Sequence, residues 1–257
     1  MGTLLDAYFD RIDFRPAPGA TQLDLGRLHR QHLLHIPFEN LSIHRGQKIE
    51  LGFEALFDKL VTRKRGGFCF EMNGLFSWVL DQLNIQVNLF ACSVFSPERK
   101  TWSDPFSHLA LQVYHQYDYW LVDVGFGRSF PEPLRMVPQQ IQHLDGIRYQ
   151  FLTQADGAYL LQRQQGSQAY EAMYRFVRVP RKMEDFAGMS HFHQTSPDSP
   201  FTVQRLITRL IADGRVTLTD KELKITEGGQ VYSQSLHSAE EFEAHLEAHF
   251  GMNWAGI

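Results

Sequence analysis

The 257-residue sequence contains only two cysteines, no long apolar run and no strong excess of charge of either sign. The two thiols, Cys69 and Cys92, are too few for a disulfide framework in a chain of this length, and they indicate a reducing compartment. No segment approaches the roughly 20 apolar residues of a membrane span, and the first residues lack the basic and apolar regions of a secretory signal. We therefore expect a cytoplasmic protein with no membrane partner.

The net charge of −4 comes from acidic and basic residues that are mixed along the whole sequence. No basic stripe indicates a nucleic-acid partner, and no acidic tail indicates a basic partner. Hydrophobic residues make up 43% of the chain, enough to bury a substantial core in one large domain or in two to three smaller ones. These features favour a globular protein whose partners are small molecules.

The first third of the sequence has the period of amphipathic helices. We expect helices over residues 3–12, 24–35 and 53–61, and a fourth that begins at about Cys69, directly after the break at Gly66 and Gly67. From residue 85 the period changes to two, which is typical of strands. The strands are expected over residues 85–93, 109–113, 119–124, 149–153, 158–163 and 169–177.

The last part of the sequence is mixed. Residues 186–200 are rich in Ser, His, Pro and Asp and have no period, so we expect a loop that joins or covers domains. Strands at 216–218, 223–226 and 231–235 precede a helix that begins at Ser238, with Glu241 placed for a capping box. The pattern predicts an α+β protein with a helical part at 1–84, a β barrel or sandwich at 85–185 and an α/β part at 186–257.

Cys69 is the candidate nucleophile. A helix N-terminus places partial positive charge and free N–H groups near its sulfur, which favours the thiolate, and Arg65 could add to this effect. Gly66 and Gly67 leave the first helical turn open, so that the same N–H groups could receive an oxyanion. The alternative is that Cys69 is a small buried core residue, as free cysteines commonly are.

A cysteine nucleophile needs a base and a group that orients the base, and the sequence offers His108 and Asp123. His108 begins a predicted strand, and Asp123 stands in an apolar run where an unpaired carboxylate would be costly to bury. Adjacent strands could bring the two side chains together and complete the order Cys, His, Asp. The alternative is a His–Asp pair that only satisfies two buried polar groups.

Other possible ligand groups carry weaker signals. Cys92 is isolated from any spacing motif of metal ligands, so we expect no metal. Gly125-Phe126-Gly127 is similar to a phosphate-binding turn but lacks the rest of a dinucleotide or P-loop motif. The remaining histidines considered lie on a predicted helix or in the predicted loop and receive no role: His29, His32, His35, His191 and His193.

Four blocks of the sequence resemble the arylamine N-acetyltransferase family in their order and spacing. They are His35-Ile36-Pro37-Phe38-Glu39-Asn40-Leu41, Arg65-Gly66-Gly67-Phe68-Cys69-Phe70-Glu71-Met72-Asn73-Gly74, Ser107-His108-Leu109 and Asp123-Val124-Gly125-Phe126-Gly127. The resemblance covers nearly the whole chain. It implies a helical bundle, a β-barrel and a small α/β lid, with a cysteine-protease-like catalytic core in the cleft between them.

The resemblance also implies a reaction and a role for each site residue. Cys69 would take acetyl from acetyl-CoA and pass it to an arylamine, a hydrazine or an N-hydroxyarylamine in a ping-pong reaction, with His108 as base and Asp123 as its orienting group. Glu39 and Arg65 would pair to brace the site. CoA would meet Ser107, Gly125 and Gly127. The acceptor would lie against Phe38, Phe70, Val94, Phe126 and Phe192.

Three other functions remain open at this stage. An amide synthase that closes macrolactams shares the Cys, His and Asp blocks, and a thiol hydrolase or transglutaminase-like enzyme would pass the acyl group to water or to a protein amine. A non-catalytic binding module would keep the fold alone. The sequence ends at Ile257, where similar proteins often continue, so we expect appreciable hydrolysis of acetyl-CoA without an amine. The oligomeric state is not predicted.

Overall fold

The structure of the protein, a computed structural model, describes residues 2–17, 23–128 and 130–257. Helices dominate the N-terminal third. Thr3 and Asp24 cap the first two helices by accepting backbone N–H groups, as their side chains favour at this position. The helices are α1 (Leu4–Arg11), α2 (Leu25–His35), α3 (Leu41–His44), α4 (Phe53–Phe57) and α5 (Cys69–Gln82). Helix α4 continues as a π-helix over Asp58–Thr62, so the helix predicted at 53–61 changes geometry halfway.

The middle of the chain forms a largely antiparallel meander. Its strands are β2 (Gln86–Ser96), β3 (Thr101–Trp102), β4 (His108–His115), β5 (Asp118–Val122), β6 (Leu134–Arg135), β7 (Gln142–Leu144), β8 (Ile147–Thr153), β9 (Tyr159–Gln165) and β10 (Glu171–Phe176). The strand order in the sheet is β6-β5-β4-β2-β10-β9-β8-β7, and β3 pairs with β2 outside this path. All the strands predicted for this part are therefore present.

The two ends of this sheet approach each other and nearly close a barrel. The Gln142 side chain of β7 accepts a hydrogen bond from the Arg135 backbone N–H of β6 at 2.7 Å and donates one to the Arg135 carbonyl at 2.9 Å. The amide side chain thus takes the place of a neighbouring strand. The barrel interior is filled by large buried side chains, among them Phe90, Phe130, Tyr149, Phe151 and Phe176.

The C-terminal part forms a second, antiparallel sheet that is covered by a helix. Its elements are β11 (Leu206–Ile211), β12 (Gly214–Thr219), β13 (Glu222–Glu227), β14 (Gln230–Ser235) and α7 (Ala239–Phe250). Strand β1 (Phe38–Glu39), from the N-terminal part, pairs with β11 at the edge of this sheet. Strand β11 was not predicted, because apolar and polar residues do not alternate strictly in Leu-Ile-Thr-Arg-Leu-Ile.

The prediction of a loop at residues 186–200 is wrong for its first ten residues. A 3₁₀ helix (Met183–Phe186) leads directly into helix α6 (Ala187–Thr195). Phe186 is fully buried and its ring packs against Phe70, while Ser190 and His193 of α6 are also buried. Tertiary packing therefore supports a helix whose sequence has little helical period of its own. The domain boundaries at 84/85 and 185/186 stay a prediction.

The largest core positions the start of α5 against the barrel. Residues of α5 and of the adjoining loop, such as Phe68, Met72 and Phe76, share this core with residues of β4 and of the segment that follows β5. Leu109 and Val124 belong to the same cluster. Cys69 at the start of α5 is thereby brought next to His108, the first residue of β4, and Asp123, which directly follows β5. In the described part of the chain, no helix is long and apolar enough to cross a membrane.

Candidate active site

Cys69 is the first residue of α5, as the sequence predicts, and its side chain is almost completely buried. The preceding turn packs tightly against β1: the Gly67 N–H bonds to the Pro37 carbonyl at 3.3 Å, and the Glu39 N–H bonds to the Gly67 carbonyl at 2.9 Å. A Cβ on Gly66 would lie 2.1 Å from the Pro37 carbonyl oxygen. Only glycine fits at this close approach, so Gly66 helps to place the cysteine. The preceding helix ends earlier, at Thr62.

A buried ion-pair network holds this turn in place. Arg65 Nη2 lies 2.8 Å from Glu39 Oε1, which confirms the pair expected between these residues. Lys59 Nζ lies 2.7 Å from Glu71 Oε1, and Glu71 Oε2 accepts the Phe68 N–H at 3.0 Å. Because Arg65 is committed to Glu39, the idea that it assists the Cys69 thiolate has no support in this geometry.

His108 and Asp123 form a buried pair beside Cys69. His108 Nε2 lies 2.8 Å from Asp123 Oδ2, which confirms that the carboxylate in the apolar run has a partner. Asp123 Oδ1 also accepts the Asn73 side-chain N–H at 2.9 Å and the Gly125 backbone N–H at 3.0 Å. Burial by itself raises the pKa of Asp123, but the charge and hydrogen bond of His108 and the bond from Asn73 outweigh it and hold the pKa below its ordinary value.

The surroundings of Cys69 favour its neutral thiol. Burial raises the pKa of the Cys69 thiol, and the charge of Asp123 raises it further, although hydrogen bonds with the backbone of Leu109 and Phe70 act in the opposite direction. The helix N-terminus alone therefore does not produce a thiolate. His108 uses Nε2 for Asp123, which leaves Nδ1 as the ring nitrogen for a second partner.

A cavity of about 1030 Å³ opens over Cys69 and His108, between the barrel, the C-terminal sheet and α6. It brings together most of the residues that were predicted to contact substrates. Those that line it are Phe38, Val94, Ser107, Gly125, Phe126, Gly127 and Phe192. Phe70 is the exception: it is fully buried, its ring packs against Phe68, Phe186 and His193, and it lies outside the residues that line the cavity.

Several cavity residues were missed in the sequence. They come from the middle and C-terminal parts of the chain, and only the tertiary structure brings them together: Trp102, Arg128, His193, Phe201, Thr208 and Arg215. The composition around His193 predicts a loop, whereas His193 lies on α6 and bonds to the Ser107 carbonyl at 3.0 Å. Nothing in the local sequence distinguishes Arg215 of β12, which donates to the Gly127 carbonyl at 2.8 Å. In the described residues, no group of three His, Cys, Asp or Glu side chains could hold a metal.

Gly125 is required where it touches Cys69. A Cβ at this position would lie 2.8 Å from the Cys69 Cα and 2.7 Å from its carbonyl oxygen, and both are backbone atoms that cannot move aside. We expect Gly125→Ala to displace the segment and to slow acylation of Cys69 on the order of 100-fold, since a shift of about 1 Å in a site has an effect of this size. The measurement is the rate of acyl-enzyme formation, with thermal stability alongside.

Gly127→Ala provides the matched control for this prediction. Its Cβ would meet only side-chain atoms at ordinary contact distances, the Phe38 ring at 3.5 Å and the Thr208 methyl group at 3.6 Å. We expect Gly127→Ala to keep the wild-type melting temperature, whereas Gly125→Ala lowers it. Equal melting temperatures for the two variants would contradict a special role of Gly125; the comparison uses stability because Gly127 also lines the cavity.

The site has the features of a thiol enzyme that forms a covalent intermediate. These features are a cysteine at a helix N-terminus, a buried His–Asp pair beside it and a large cavity above them.

Comparisons with known proteins agree with this class of enzyme. The sequence model of the N-acetyltransferase family matches residues 23–256. Human arylamine N-acetyltransferase 1 is 30% identical, over 97% of this chain and 94% of that protein. The chain therefore belongs to the arylamine N-acetyltransferase family, as its four sequence blocks predict.

Solved structures support the same assignment. The structure of arylamine N-acetyltransferase from Salmonella typhimurium matches with a TM-score of 0.90 at 28% identity, over 98% of this chain and 92% of that one. The arylamine N-acetyltransferase of Mycobacterium marinum, solved in complex with CoA, matches with a TM-score of 0.87 at 32% identity, over 98% and 93% of the two chains. The predicted α+β fold with bundle, barrel and lid is thereby confirmed.

Proposed function

We propose that this protein transfers acetyl from acetyl-CoA to arylamines and arylhydrazines, and to the oxygen of N-hydroxyarylamines, through an acetyl-Cys69 intermediate. One observation carries the proposal: Cys69 and His108 line the same cavity, and Asp123 holds His108 from behind at 2.8 Å. A nucleophile, a base and an orienting acid are the parts that a two-step acyl transfer requires.

In the first step, the thiol proton of Cys69 passes to His108 Nδ1, and the sulfur attacks the thioester carbonyl of acetyl-CoA. The C–S bond to CoA then breaks, and CoA leaves with the proton that His108 returns. Backbone N–H groups at the start of α5 lie near the sulfur and can stabilise the oxyanion of the tetrahedral intermediate. We propose that CoA contacts Ser107, Gly125 and Gly127, because these residues line the cavity and a relative of the same fold is solved with CoA bound.

In the second step, the acceptor amine attacks the carbonyl of acetyl-Cys69. His108 takes a proton from the amine, the C–S bond of the intermediate breaks, and the regenerated thiolate of Cys69 completes the cycle. Flat apolar side chains suit an aromatic acceptor, and Phe38, Val94, Phe126 and Phe192 all line the cavity. The His108 ring is itself bounded by aromatic rings, at 5.2 Å from Phe126 and 5.1 Å from Tyr174.

The test follows acetyl groups by intact mass. We expect the protein to gain the mass of one acetyl group on mixing with acetyl-CoA, and to lose it when 4-aminobenzoate or an aryl hydrazide is added, with release of the N-acetyl product. Benzoate, which lacks the amine, is the matched control and should not discharge the enzyme. Failure to form the adduct, or discharge by water at the rate seen with the amine, would favour a thiol hydrolase. Transfer to protein amines would favour a transglutaminase-like enzyme.

An amide synthase that closes macrolactams is separated from the proposed enzyme by substrate size. Such an enzyme takes its acyl group from a long chain that carries its own amine, so short acetyl donors and separate arylamines should turn over poorly. Efficient turnover of acetyl-CoA with a single-ring amine therefore supports the acetyltransferase. We also propose a cytoplasmic location, which is supported by the two buried cysteines that are both free thiols, Cys69 and Cys92.

A further inference from the structure

His29 on helix α2 contacts the two ends of a segment, residues 123–131, that runs over the start of α5 at Cys69. Its Nε2 accepts the backbone N–H of Asp123 at 3.3 Å, and its Nδ1 lies 3.1 Å from the carbonyl oxygen of Pro131. A backbone N–H can only donate, so Nε2 must carry the lone pair. Nδ1 therefore carries the proton and donates it to Pro131. The two hydrogen bonds thus select one neutral tautomer of this imidazole.

The surroundings of His29 keep it neutral and immobile. The side chain is fully buried, its ring is parallel to that of Phe130 at 5.8 Å, and it meets the edge of the Phe76 ring at 6.2 Å. Burial lowers the pKa of His29 to about 4, against a smaller opposing effect of the Pro131 hydrogen bond and the nearby Asp123. A protonated ring would direct a second N–H at the Asp123 N–H, so the neutral form is the one that fits.

The segment that begins at Asp123 and ends at Pro131 carries much of the site. Asp123 binds His108, and the next residues run over the start of α5, where Gly125 packs against the backbone of Cys69. Gly125, Phe126, Gly127 and Arg128 line the cavity. Its described residues, 123–128, 130 and 131, belong to no strand, so no ladder of backbone hydrogen bonds holds them. Side chains must hold the segment instead, and His29 forms a hydrogen bond at each end of it.

We propose that His29 is a positioning residue for acetyl transfer, which ties the two ends of the 123–131 segment so that Asp123 stays aligned with His108 and Gly125 stays against Cys69. This inference rests on the proposed function. His29 acts from behind the site and lies outside the residues that line the cavity. Its role is to hold groups that act on the thiol proton, so its loss should appear in the chemistry of Cys69 before it appears in substrate affinity.

The main test is His29→Phe, which keeps an aromatic ring in the core and removes both hydrogen bonds. We expect the rate of Cys69 acetylation by acetyl-CoA to fall on the order of 10- to 100-fold, the range found when groups that orient a catalytic ligand are removed. The KM for the acceptor amine should change little. The pH midpoint for alkylation of Cys69 by iodoacetamide should move upward by about one unit, because a misaligned Asp123 stabilises the His108 imidazolium less.

His32→Phe is the matched control. His32 lies one turn further along α2, is equally buried, and bonds through Nδ1 to the Tyr8 hydroxyl at 2.8 Å. The substitution removes a buried histidine and a hydrogen bond from the same helix without touching the 123–131 segment. We expect His32→Phe to lower the melting temperature to a similar extent as His29→Phe, and to keep the wild-type acetylation rate and alkylation profile per folded molecule.

Two amide variants serve as a rescue test and remain useful if His29→Phe folds poorly. A Gln amide oxygen can reach the position of Nε2 and accept the Asp123 N–H, whereas an Asn amide reaches only the position of Nδ1 and can donate to Pro131. We expect His29→Gln to recover more of the acetylation rate than His29→Asn. Equal rates in both, or rates in His29→Phe that match the wild type, would overturn the proposal.

The outcomes separate this inference from the proposed function. Alkylation by iodoacetamide needs neither acetyl-CoA nor an amine, so it tests the alignment of Cys69, His108 and Asp123 even if the wild type does not accept acetyl. A wild type that is not acetylated would refute the proposed function alone. An equal loss of rate and an equal change of pH profile in His29→Phe and His32→Phe would refute the positioning role alone, because the effect would then follow from general damage to α2.

Discussion

Replacement of Cys69 by alanine is expected to abolish acetyl transfer, with a fall in rate on the order of 10⁶-fold, the size seen when the nucleophile of a triad is removed. The physical reason is that the sulfur is the atom to which the acetyl group is bonded between the two half-reactions. The expected result by intact mass is that no acetyl adduct forms on Cys69→Ala at any acetyl-CoA concentration. Formation of an adduct on this variant would show that another residue carries the acyl group.

Cys92→Ala is the control for this experiment. Cys92 is also buried and free, and it stands directly opposite His108 in the pairing of β2 with β4. Its sulfur bonds to a backbone carbonyl within its own strand, that of Phe90 at 3.7 Å, and it does not line the cavity. We expect Cys92→Ala to keep the acetyl adduct and the transfer rate. Iodoacetamide should label Cys69 faster than Cys92 in the wild type, and the reverse order would contradict the assignment.

Asp123→Asn is expected to lower kcat by about 10⁴-fold, as the loss of a tautomer-fixing carboxylate does in a serine triad. Asp123 Oδ1 is occupied by N–H donors from Asn73 and Gly125, so an asparagine would keep its oxygen there and direct its amide N–H at His108 Nε2. The imidazole would then carry its proton on Nδ1, the nitrogen that must accept the thiol proton. Thiolate formation would stop, although the site would keep its shape.

The measurement is the pre-steady-state rate of acetylation, with the alkylation profile of Cys69 as a second readout. His108→Gln should show a loss of similar size, since it removes the base itself. Asp118→Asn is a suitable control, because Asp118 begins strand β5, which Asp123 directly follows, but it pairs with Arg135 at 2.6 Å and lies outside the residues that line the cavity. A near-normal rate in Asp123→Asn, or an equal loss in Asp118→Asn, would remove Asp123 from the catalytic group.

The start of α5 shows how far local sequence can lead. Two glycines and a stripe of apolar residues predict a helix that begins at Cys69, and the helix does begin there. The glycines predict a break that leaves the first turn of the helix open. The structure adds that Gly66 packs against the Pro37 carbonyl, a contact across 29 residues that no local pattern contains. The sequence therefore located the cysteine in its helix, and packing located the helix against β1.

The errors of the sequence-based reading have one physical origin. Residues 186–195 have a loop-like composition, yet they form a 3₁₀ helix end and α6 because Phe186, Ser190 and His193 are buried against the site. Strand β11 lacks strict alternation because it lies inside a sheet, between β1 and β12, and contacts other elements on both faces. A regular alternation of apolar and polar residues arises in elements that expose one face to solvent. Elements that are buried on both faces, or that bury polar residues, do not show this alternation and cannot be predicted from it.

Only part of the candidate site could be predicted from the sequence. Asp123 lies in an apolar run, where burial of an unpaired carboxylate is costly, so the sequence predicts a partner for it. His108, at the start of a nearby predicted strand, is a candidate for that partner. That Asn73 also binds the carboxylate, and that His29 bonds to the backbone of Asp123, could not be read from spacing, because these residues lie 50 and 94 positions away. Phe70, part of the same block as Cys69, was expected in the acceptor pocket, but α6 covers it.

The sequence by itself determined the fold class, the helix that begins at Cys69, the strands of the barrel and, through four blocks of residues, the family. These features depend on local period, turn chemistry and the identity of reactive residues. Only the tertiary structure decided which side chains share the cavity, that Arg65 pairs with Glu39, and that burial raises the pKa of the Cys69 thiol. Desolvation and contact are set by residues far apart in the chain, so they exist only once the three parts have packed together.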